Sequence, residues 1–470
     1  MTREDALQVI EGAGSFLDDD GKPQRTGTTW TASAHIITAV IGAGVLSLAW
    51  AMAQLGWIIS IVSVFIFSIV NLYTSNLLAD FYRSPDPVSG KRNRAYVEVV
   101  RNNLGGKMHM ICGFIQYSYL VGVTIGYTIT TSISVVTIRK VNCFQLKGIT
   151  ASCRYSANPY MIVLGVVEIF LSQIPNFHKL SWLSILATTM SFGYASIGAG
   201  LSIAKVIQGK GNDTSLLGSS NKTQSSADNM WNMLIALGNL ALANGYAVIA
   251  VNIEDSLKSS PPENKVMKRA NKISVSIMAV FFLICGCSGY AAFGSETPGN
   301  ILLSSGFKEP FWLITLANVF IMVHLIAAYQ VIAQPIYYAV ETWTGQRWTS
   351  SSFVNREYSM HIGKMEFKIS FFKLVWRSIF VAVATVLAMA MPFFNDILGF
   401  LGAIGFWPLT IYFPVEMHIK RKKIKKGTMR WFGLKTLSFI FMALSVAIAC
   451  ACIRGISQGL QKYKPFQYKD

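Results

Sequence analysis

Long runs of apolar residues alternate with short polar segments along most of the chain. Leu55–Leu72 and Leu434–Cys452 are two such runs, each of about 18 residues and almost free of charge, and about 20 apolar residues cross a bilayer as a helix. The runs are continuous, whereas the strands of a membrane barrel need alternating apolar and polar positions. The pattern therefore predicts an all-α integral membrane protein with several spans.

Hydropathy along the whole chain predicts eleven spans, including some with glycines and polar residues that can face the interior of a bundle. We place them at residues 30–54, 57–81, 108–136, 158–174, 181–204, 231–253, 273–293, 310–340, 374–392, 395–416 and 434–453.

The first span carries Gly42 and Gly44 near its centre. Glycine weakens a helix by up to about 1 kcal/mol relative to alanine, and a break here would free backbone N–H groups at the start of the second half-helix. Those groups need a partner inside lipid, and a substrate carboxylate suits their positive end of the helix dipole. We therefore expect the carboxylate at the amides around Ile41, Gly42, Ala43, Gly44 and Val45. The alternative is that the glycines simply permit close helix packing.

The sixth span is interrupted in the same way, by two asparagines and two glycines between residues 238 and 245. Paired broken helices in corresponding positions are typical of inverted-repeat transporters. This pattern favours a first five-helix repeat at 30–204, a second at 231–416 and an eleventh helix at 434–453. We predict that residues 1–29 form a disordered cytoplasmic tail and that 454–470 form an outer C-terminal tail.

Composition and charge narrow the class. The 470 residues are 52% hydrophobic and 14% charged, with a mean hydropathy of +0.42, whereas soluble domains are about a quarter charged. The net charge of +18 does not indicate nucleic-acid binding, because the basic residues lie between apolar runs. Most of them fall on one side of the predicted spans, which places the N-terminus in the cytoplasm and the C-terminus outside the cell.

Two further patterns mark the outer loops. Cys143 and Cys153 lie in one polar loop and could form a disulfide if that loop is extracytoplasmic. Asn212 and Asn221 begin glycosylation sequons that this topology also places outside.

The chain resembles the plant amino acid permeases of the amino acid/auxin permease family, within the APC superfamily, from about residue 26 to the C-terminus. The resemblance rests on the segments 31–57, 120–129, 173–180, 291–294, 310–314, 323–325, 394–399 and 405–417. It implies a leucine-transporter-like fold, in which two inverted five-helix repeats are followed by one extra helix. It also implies proton-driven import of amino acids at the plasma membrane.

In such a fold the substrate would lie between spans one, three, six and eight. We expect its ammonium group at the backbone carbonyls of Asn239, Leu240, Ala241 and Leu242, and its side chain in a pocket shaped by Tyr119 and Asn244. Several of these positions depart from the family pattern. Acidic residues are expected at Asn239, Asn252 and Thr315, Asn at Tyr119, often an aromatic at Asn244, and Gln at Glu168, which leaves the substrate range open.

Ionisable groups within the membrane are costly and therefore candidates for proton coupling. His35 on span one and His324 on span eight match histidines typical of the family, and histidine titrates near physiological pH. The alternative is a pair of neutral histidines bonded to backbone. Glu168 on span four would snorkel or pair near the membrane edge. Sodium is the competing driver, but span eight after Thr315 contains no Ser or Thr to bind it.

These patterns favour a proton-coupled amino-acid symporter in a lipid bilayer. Two alternatives stay open: a nutrient sensor that binds an amino acid and transports little, and a permease for a related organic acid such as auxin. An enzyme is disfavoured because no catalytic constellation is visible, and we expect no cofactor and no metal. The sequence does not specify the oligomeric state.

Overall fold

The computed structural model describes residues 18–20, 24–148, 151–174, 181–218, 225–302, 307, 309–362, 365–391 and 394–462. Within these ranges the chain is a bundle of long helices with two short β-hairpins. The predicted sequon residue Asn221 lies outside the described residues.

The helices, in chain order, are α1 Thr29–Val40, α2 Ala43–Leu46, α3 Leu48–Ala79, α4 Tyr96–Leu104, α5 Gly106–Lys147, α6 Asn158–Ser172, α7 Ser181–Ile207, α8 Ser226–Asn244, α9 Ala247–Glu254, α10 Glu263–Phe293, α11 Phe311–Arg347, α12 Ser352–Asn355, α13 Phe371–Ala390, α14 Phe394–Gly405, α15 Phe413–Arg421 and α16 Met429–Lys462. The hairpins pair β1 Arg83–Ser84 with β2 Lys91–Arg92, and β3 Glu357–Ile362 with β4 Met365–Ser370. A π-helical turn at Phe406–Tyr412 joins α14 to α15.

Nine helical segments among the described residues are long and apolar enough to cross a membrane. The first predicted span is divided between α1, α2 and the start of α3, and the fourth is the shorter α6. Ile58, Val62, Phe65 and Ile69 of α3 form an exposed apolar stripe at helical spacing. A stripe of this kind is stable against lipid and costly against water, so it marks the outer face of the bundle.

The boundary predicted between spans one and two falls at a real bend. Gly56 adopts φ 73°, which separates two helical segments within α3. Glycine reaches this left-handed region without the steric penalty that a Cβ atom would bring. The backbone of Leu216 lies directly against Gly56, and Gly218 N–H donates to Leu55 O at 3.0 Å, so the bend also accommodates the loop after α7.

The N-terminal tail is partly ordered, which corrects the prediction of disorder for the whole of 1–29. Arg25 pairs with Asp18, Asp20 and Asp255 at 2.9–3.0 Å. Gly27 forms a short parallel bridge with Leu257, where its N–H donates to Ser256 O at 3.0 Å. Composition predicted disorder because the tail is polar. The charges of the tail are, however, complementary to those of a loop that is distant in sequence, and the local sequence pattern does not reveal that contact.

The predicted cysteine pair and one predicted sequon lie in or next to loops between the long helices. Cys143 at the end of α5 and Cys153 are joined by a disulfide. Asn212 is exposed, and its side-chain amide donates to Phe293 O at 3.2 Å. That amide nitrogen would have to leave Phe293 before a glycan could be attached to it.

Candidate functional site

The first helix is broken where the glycines predicted a break. Ile41 N–H still donates to Ile37 O at 2.7 Å, but Gly42 takes φ −122° and ψ −143°, and a new helical turn begins at Ala43. Ser47 keeps near-helical angles of φ −91° and ψ −6° between α2 and α3, so the chain continues helically toward Gly56. The N–H groups of the first turn of such a helix have no acceptor within it and can bind an anion.

Tyr194 of α7 stabilises this break from the side. Its hydroxyl lies 3.1 Å from both Ile41 O and Gly42 O, the two carbonyls at the interruption. Gly42 O also accepts from Val45 N–H at 3.3 Å. Unsatisfied backbone carbonyls are costly inside a membrane, so the Tyr194 hydroxyl compensates for the broken helix. The sequence analysis did not identify Tyr194, because nothing in its local sequence indicates a partner some 150 residues away.

The sixth predicted span is also broken, but later than expected. α8 continues to Asn244, Gly245 is extended at φ −89° and ψ 111°, and α9 begins at Ala247. Asn239 and Leu240 therefore lie inside a regular helix, which corrects the prediction that their carbonyls are free. The last four carbonyls of a helix lack intrahelical partners, and these include Ala241 and Leu242, although Leu242 O accepts from Gly245 N–H at 3.0 Å.

Asn244 fixes the second break and is not among the residues that line the cavity at the two breaks, so its role in shaping a side-chain pocket stays a prediction. Its side-chain amide donates to Leu240 O at 2.9 Å, and its own carbonyl accepts from the Asn71 amide of α3 at 2.6 Å. Ser68 donates to its side-chain oxygen at 3.3 Å. Each break is thus stabilised by a polar side chain from another helix: Tyr194 for the first and Asn71 for the second.

The two breaks line one small cavity of about 50 Å³, which has room for a few water molecules. Its wall is mostly small or apolar and contains no charged side chain. The lining residues from the two broken helices are Ala39, Val40, Gly42, Gly44, Leu242, Ala243 and Gly245, and the others are Tyr119, Val123, Gly126, Tyr127, Leu398 and Leu401.

Tyr119 has the position that the sequence analysis expected, beside the cavity. It also borders a second, smaller cavity of about 10 Å³ that contains Ala241, Leu242 and Thr410 in its wall. The Tyr119 ring packs directly against Gly405 of α14, so this side chain stands between the two spaces. Tyr127, in the segment 120–129 that carries the family resemblance, reaches the larger cavity as well.

The two glycines of the first break have different surroundings. A Cβ atom on Gly42 would stand 3.7 Å from both His324 Nε2 and Tyr127 Oη. A Cβ atom on Gly44 would stand 3.3 Å from Cα and Cβ of Ala243. Gly42 therefore leaves space beside polar groups, whereas Gly44 allows α2 and α8 to pack closely. Ile41 and Val45 direct their side chains into the apolar core.

The two predicted histidines are in different environments. His324 is fully buried, and its Nδ1 lies 2.9 Å from Ala187 O. Nδ1 must donate in that contact, which leaves Nε2 as a buried acceptor without a partner among the described residues. His35 is half-buried on α1, six residues before Ile41. Of the two histidines, His324 is the one whose Nε2 lies beside Gly42 of the first break.

Asn239, a departure from the family pattern, is fully buried in α8. Neither its amide oxygen nor its amide nitrogen has a partner among the described side chains and backbone. Asn252 is exposed and donates to Arg94 O at 3.3 Å. Neither residue lines the larger cavity.

A buried ionic cluster lies where the N-terminal tail meets the loops that follow α3 and α9. This tail cluster consists of Asp18, Asp19, Arg83, Arg92 and Glu263. Arg83 and Arg92 share Glu263 at 2.7 and 3.2 Å, and the exposed fractions of the three side chains are 5%, 2% and 1%. Asp19 contacts the same two arginines at 2.7 and 2.5 Å.

Arg25 joins Asp18 of the tail cluster to Asp255. Burial opposes the charge on Asp18, but hydrogen bonds from Arg25 outweigh it and hold the pKa of Asp18 below its usual value. A lowered carboxyl pKa contributes stability above the unfolded value of 3.8, and this contribution is lost as the pH falls through the folded value. The contact therefore persists throughout the neutral range.

Replacing Tyr194 with phenylalanine is expected to weaken the first break. The change removes the hydroxyl beside Ile41 O and Gly42 O. Gly42 O keeps the Val45 N–H donor, so Ile41 O is the carbonyl that loses its donor, and an unsatisfied buried group costs about 1–3 kcal/mol. We expect a lower thermal unfolding temperature and about tenfold weaker substrate binding, about 1.4 kcal/mol, measured by ligand-dependent thermal shift. Tyr338→Phe is the matched control, because Tyr338 is 68% exposed. Equal effects from both variants would contradict the assigned role.

The outer apolar faces and the small cavity between two broken helices define a class, that of multi-pass membrane proteins built in the manner of solute transporters. Residues 25–458 match the family of transmembrane amino acid transporter proteins, and the chain belongs to that family. It is 53% identical over 453 residues to amino acid permease 1 of Arabidopsis thaliana, covering 96% of this chain and 93% of that permease. It is 51% identical to amino acid permease 8 of the same plant, covering 99% and 98%.

The similarity to a solved structure is weaker than the sequence similarity to these permeases. A Na⁺-coupled sialic acid symporter in a substrate-bound outward-open state has a TM-score of 0.43 with this chain and 12% sequence identity, covering 94% of this chain and 91% of that one. This similarity is too low to support an argument about either fold or ion.

Proposed function

We propose that this protein imports amino acids across the plasma membrane by proton symport. The observation that carries the proposal is that the first and second breaks meet at one enclosed cavity. Family membership and the relatives named amino acid permeases support amino acids as the substrate class. The proposed architecture is eleven spans in two inverted five-helix repeats with one extra helix, the N-terminus in the cytoplasm and the C-terminus outside.

The cavity offers opposite ends to a zwitterion. Of the amides at residues 42–45, Gly42 N–H already donates to Val40 O at 2.8 Å and Val45 N–H to Gly42 O at 3.3 Å. The amides of Ala43 and Gly44, at the electropositive start of the helix, would therefore receive the carboxylate.

The carbonyl of Leu242, a residue that lines this cavity, lies in the last turn of α8, where the dipole is negative, so it would receive the ammonium group. Ala241, in the same turn, borders the adjoining cavity. The substrate's own charges are thus met by backbone dipoles, in a cavity wall without charged side chains. Tyr119 and Tyr127 then contact the substrate side chain.

Proton coupling is assigned to His324, with His35 as the second candidate. The free Nε2 of His324 faces the space above Gly42. Protonation of that atom would add a positive charge beside the proposed carboxylate position, which favours substrate in the charged state and links the two binding events. The same link predicts that substrate binding favours proton uptake.

The test is amino-acid uptake measured together with proton current in cells that lack their own permeases. We expect inward current that saturates with the same concentration dependence as uptake of labelled amino acid. Uptake without current would refute proton symport, and binding without either would favour a nutrient sensor. Competition by acidic, neutral, basic and indole-bearing compounds would show whether an auxin-type acid is the better substrate.

The side-chain pocket can be tested at Tyr119. Replacing Tyr119 with alanine joins the two cavities that this ring separates. We expect the preference to move toward larger amino acids, by about tenfold or 1.4 kcal/mol in relative affinity for a bulky over a small substrate. Tyr117→Ala, on the same helix but away from both cavities, is the control, and competition by unlabelled amino acids gives the measurement. An unchanged order of preference would place the side-chain pocket elsewhere.

A further inference from the structure

A buried acid that the proposed substrate site does not use lies between α6 and α11. Glu168 is 5% exposed, and its Oε2 accepts from Gln330 Nε2 at 2.7 Å. The same amide nitrogen lies 3.2 Å from Glu168 O. No cation among the described residues lies within ion-pair distance of this carboxyl. An uncompensated carboxylate is costly in a membrane interior, so the site favours a bound proton.

The side-chain oxygen of Gln330 could accept a hydrogen bond from a proton on Glu168. Gln330 is fully buried, and its Oε1 has no hydrogen-bond partner among the described residues. A carboxylate can only accept hydrogen bonds, whereas a carboxylic acid can also donate one. A protonated Glu168 would donate to Gln330 Oε1 while accepting from Gln330 Nε2, which completes a two-bond ring between acid and amide.

The surroundings of the pair add no compensating charge. Tyr329 and Tyr337 are the titratable neighbours on α11, and α5 contributes the hydroxyl of Thr124 beside Tyr329. From α13, Arg377 donates to Ser172 O at 2.7 Å and pairs with Glu341 at 2.8 Å. Arg377 is therefore already bound to Ser172 O and Glu341, one helical turn beyond Glu168.

The position of the pair along α11 suggests what it does. Gln330 is six residues after His324, about 9 Å further along the helix axis at 1.5 Å per residue. Glu341 is eleven residues further, about 16 Å, beside Arg377 near the end of the helix. Pro335, between them, cannot donate a backbone hydrogen bond and loosens this part of α11. The acid–amide pair is thus intermediate between the substrate cavity and the end of the bundle.

We propose that Glu168 is a second proton-binding site, where the coupling proton rests on its way between His324 and the cytoplasmic end of α11. This inference rests on the proposed proton symport. The carboxylate takes up one proton to become a carboxylic acid paired with Gln330, and it releases the same proton when α6 and α11 separate. No other bond is made or broken.

The test compares Glu168→Gln with the wild type in uptake and in proton current at two pH values. Glutamine keeps the shape and can still pair with Gln330, so we expect the variant to reach the membrane and exchange substrate. We expect its charge moved per amino acid to fall at least tenfold and its uptake to lose pH dependence. Glu341→Gln, an acid on α11 that is already paired with Arg377, is the control and should keep the wild-type ratio.

The outcomes separate the two proposals. If wild type carries current and Glu168→Gln carries the same current per substrate, the role of Glu168 is refuted while proton symport stands. If wild type carries no current, proton symport fails and this inference fails with it. Should Glu168→Gln not fold, Gln330→Leu keeps the acid and removes its partner. Infrared difference spectra of purified protein should then show the Glu168 carboxylic-acid band titrating at a different pH from wild type, and an unchanged band would overturn the proposal.

Discussion

Replacing Gly42 with valine is expected to abolish saturable uptake while leaving a folded protein in the membrane. Gly42 has a negative φ of −122°, which residues with side chains also adopt. Its missing Cβ would stand 3.7 Å from both His324 Nε2 and Tyr127 Oη, an ordinary contact distance. The added methyl groups would therefore occupy the cavity rather than distort the helices.

The expected loss is on the order of 100-fold in apparent affinity, about 2.7 kcal/mol. Gly42→Ala should give an intermediate loss, because it adds a single methyl group to the same space. Gly200→Val on α7 is the matched control, since a Cβ there meets nothing within 4 Å. Radiolabelled uptake, normalised to surface protein, gives the measurement. Wild-type affinity in Gly42→Val would remove the amides of the first break from the substrate site.

The companion glycine would be a poor probe of substrate binding. A Cβ on Gly44 would stand 3.3 Å from Ala243, so Gly44→Val would force α2 away from α8. Its loss of transport would report packing as much as lost amide contacts. Both glycines line the cavity, and Gly44 also permits close packing of α2 against α8.

Replacing Glu263 with alanine is expected to produce the largest loss of stability in the chain. Its carboxylate is 1% exposed and shared by the buried Arg83 and Arg92. Removing one partner from a buried ionic pair costs about 3–5 kcal/mol when the remaining charge is left without compensation. Asp19 still contacts both arginines after the change, so we expect a loss toward the lower end of that range. Two guanidinium groups lose a partner here. We expect a marked decrease in the thermal unfolding temperature of the detergent-purified protein.

Asp19→Asn is the control for that change. Asp19 contacts the same two arginines, but its side chain is 49% exposed, and exposed pairs contribute about 0–1 kcal/mol. Equal destabilisation by the two variants would show that the tail cluster acts through net charge rather than through the buried position of Glu263.

The first break was predictable because its signal is local. Gly42 and Gly44 interrupt an apolar run, and the chain unwinds at Ile41 and Gly42 as expected. The second break was placed three to six residues too early. Asn239 resembled a helix interruption, yet it remains helical while Gly245 unwinds, because Asn71 binds the Asn244 carbonyl from another helix.

Long-range partners explain the other differences. Tyr194, Asn71 and the tail cluster all act across helices that are distant in sequence. Hydropathy identifies spans because each span interacts with lipid independently, but it carries no information on which polar side chain meets which carbonyl. The membrane class, the resemblance and the first break could be derived from the sequence, whereas the second break's position and the groups that fix both breaks required coordinates.

The bridge at Gly27 has a mechanical consequence. Gly27 lies two residues before α1 begins, and its partner Leu257 lies three residues after α9 ends. Because this backbone bridge is short, we expect α1 and α9, one half of each broken helix, to tilt together as one lever. A bulky fusion placed close to residue 24 would load that lever, and reporter proteins on this transporter should be attached through a long linker.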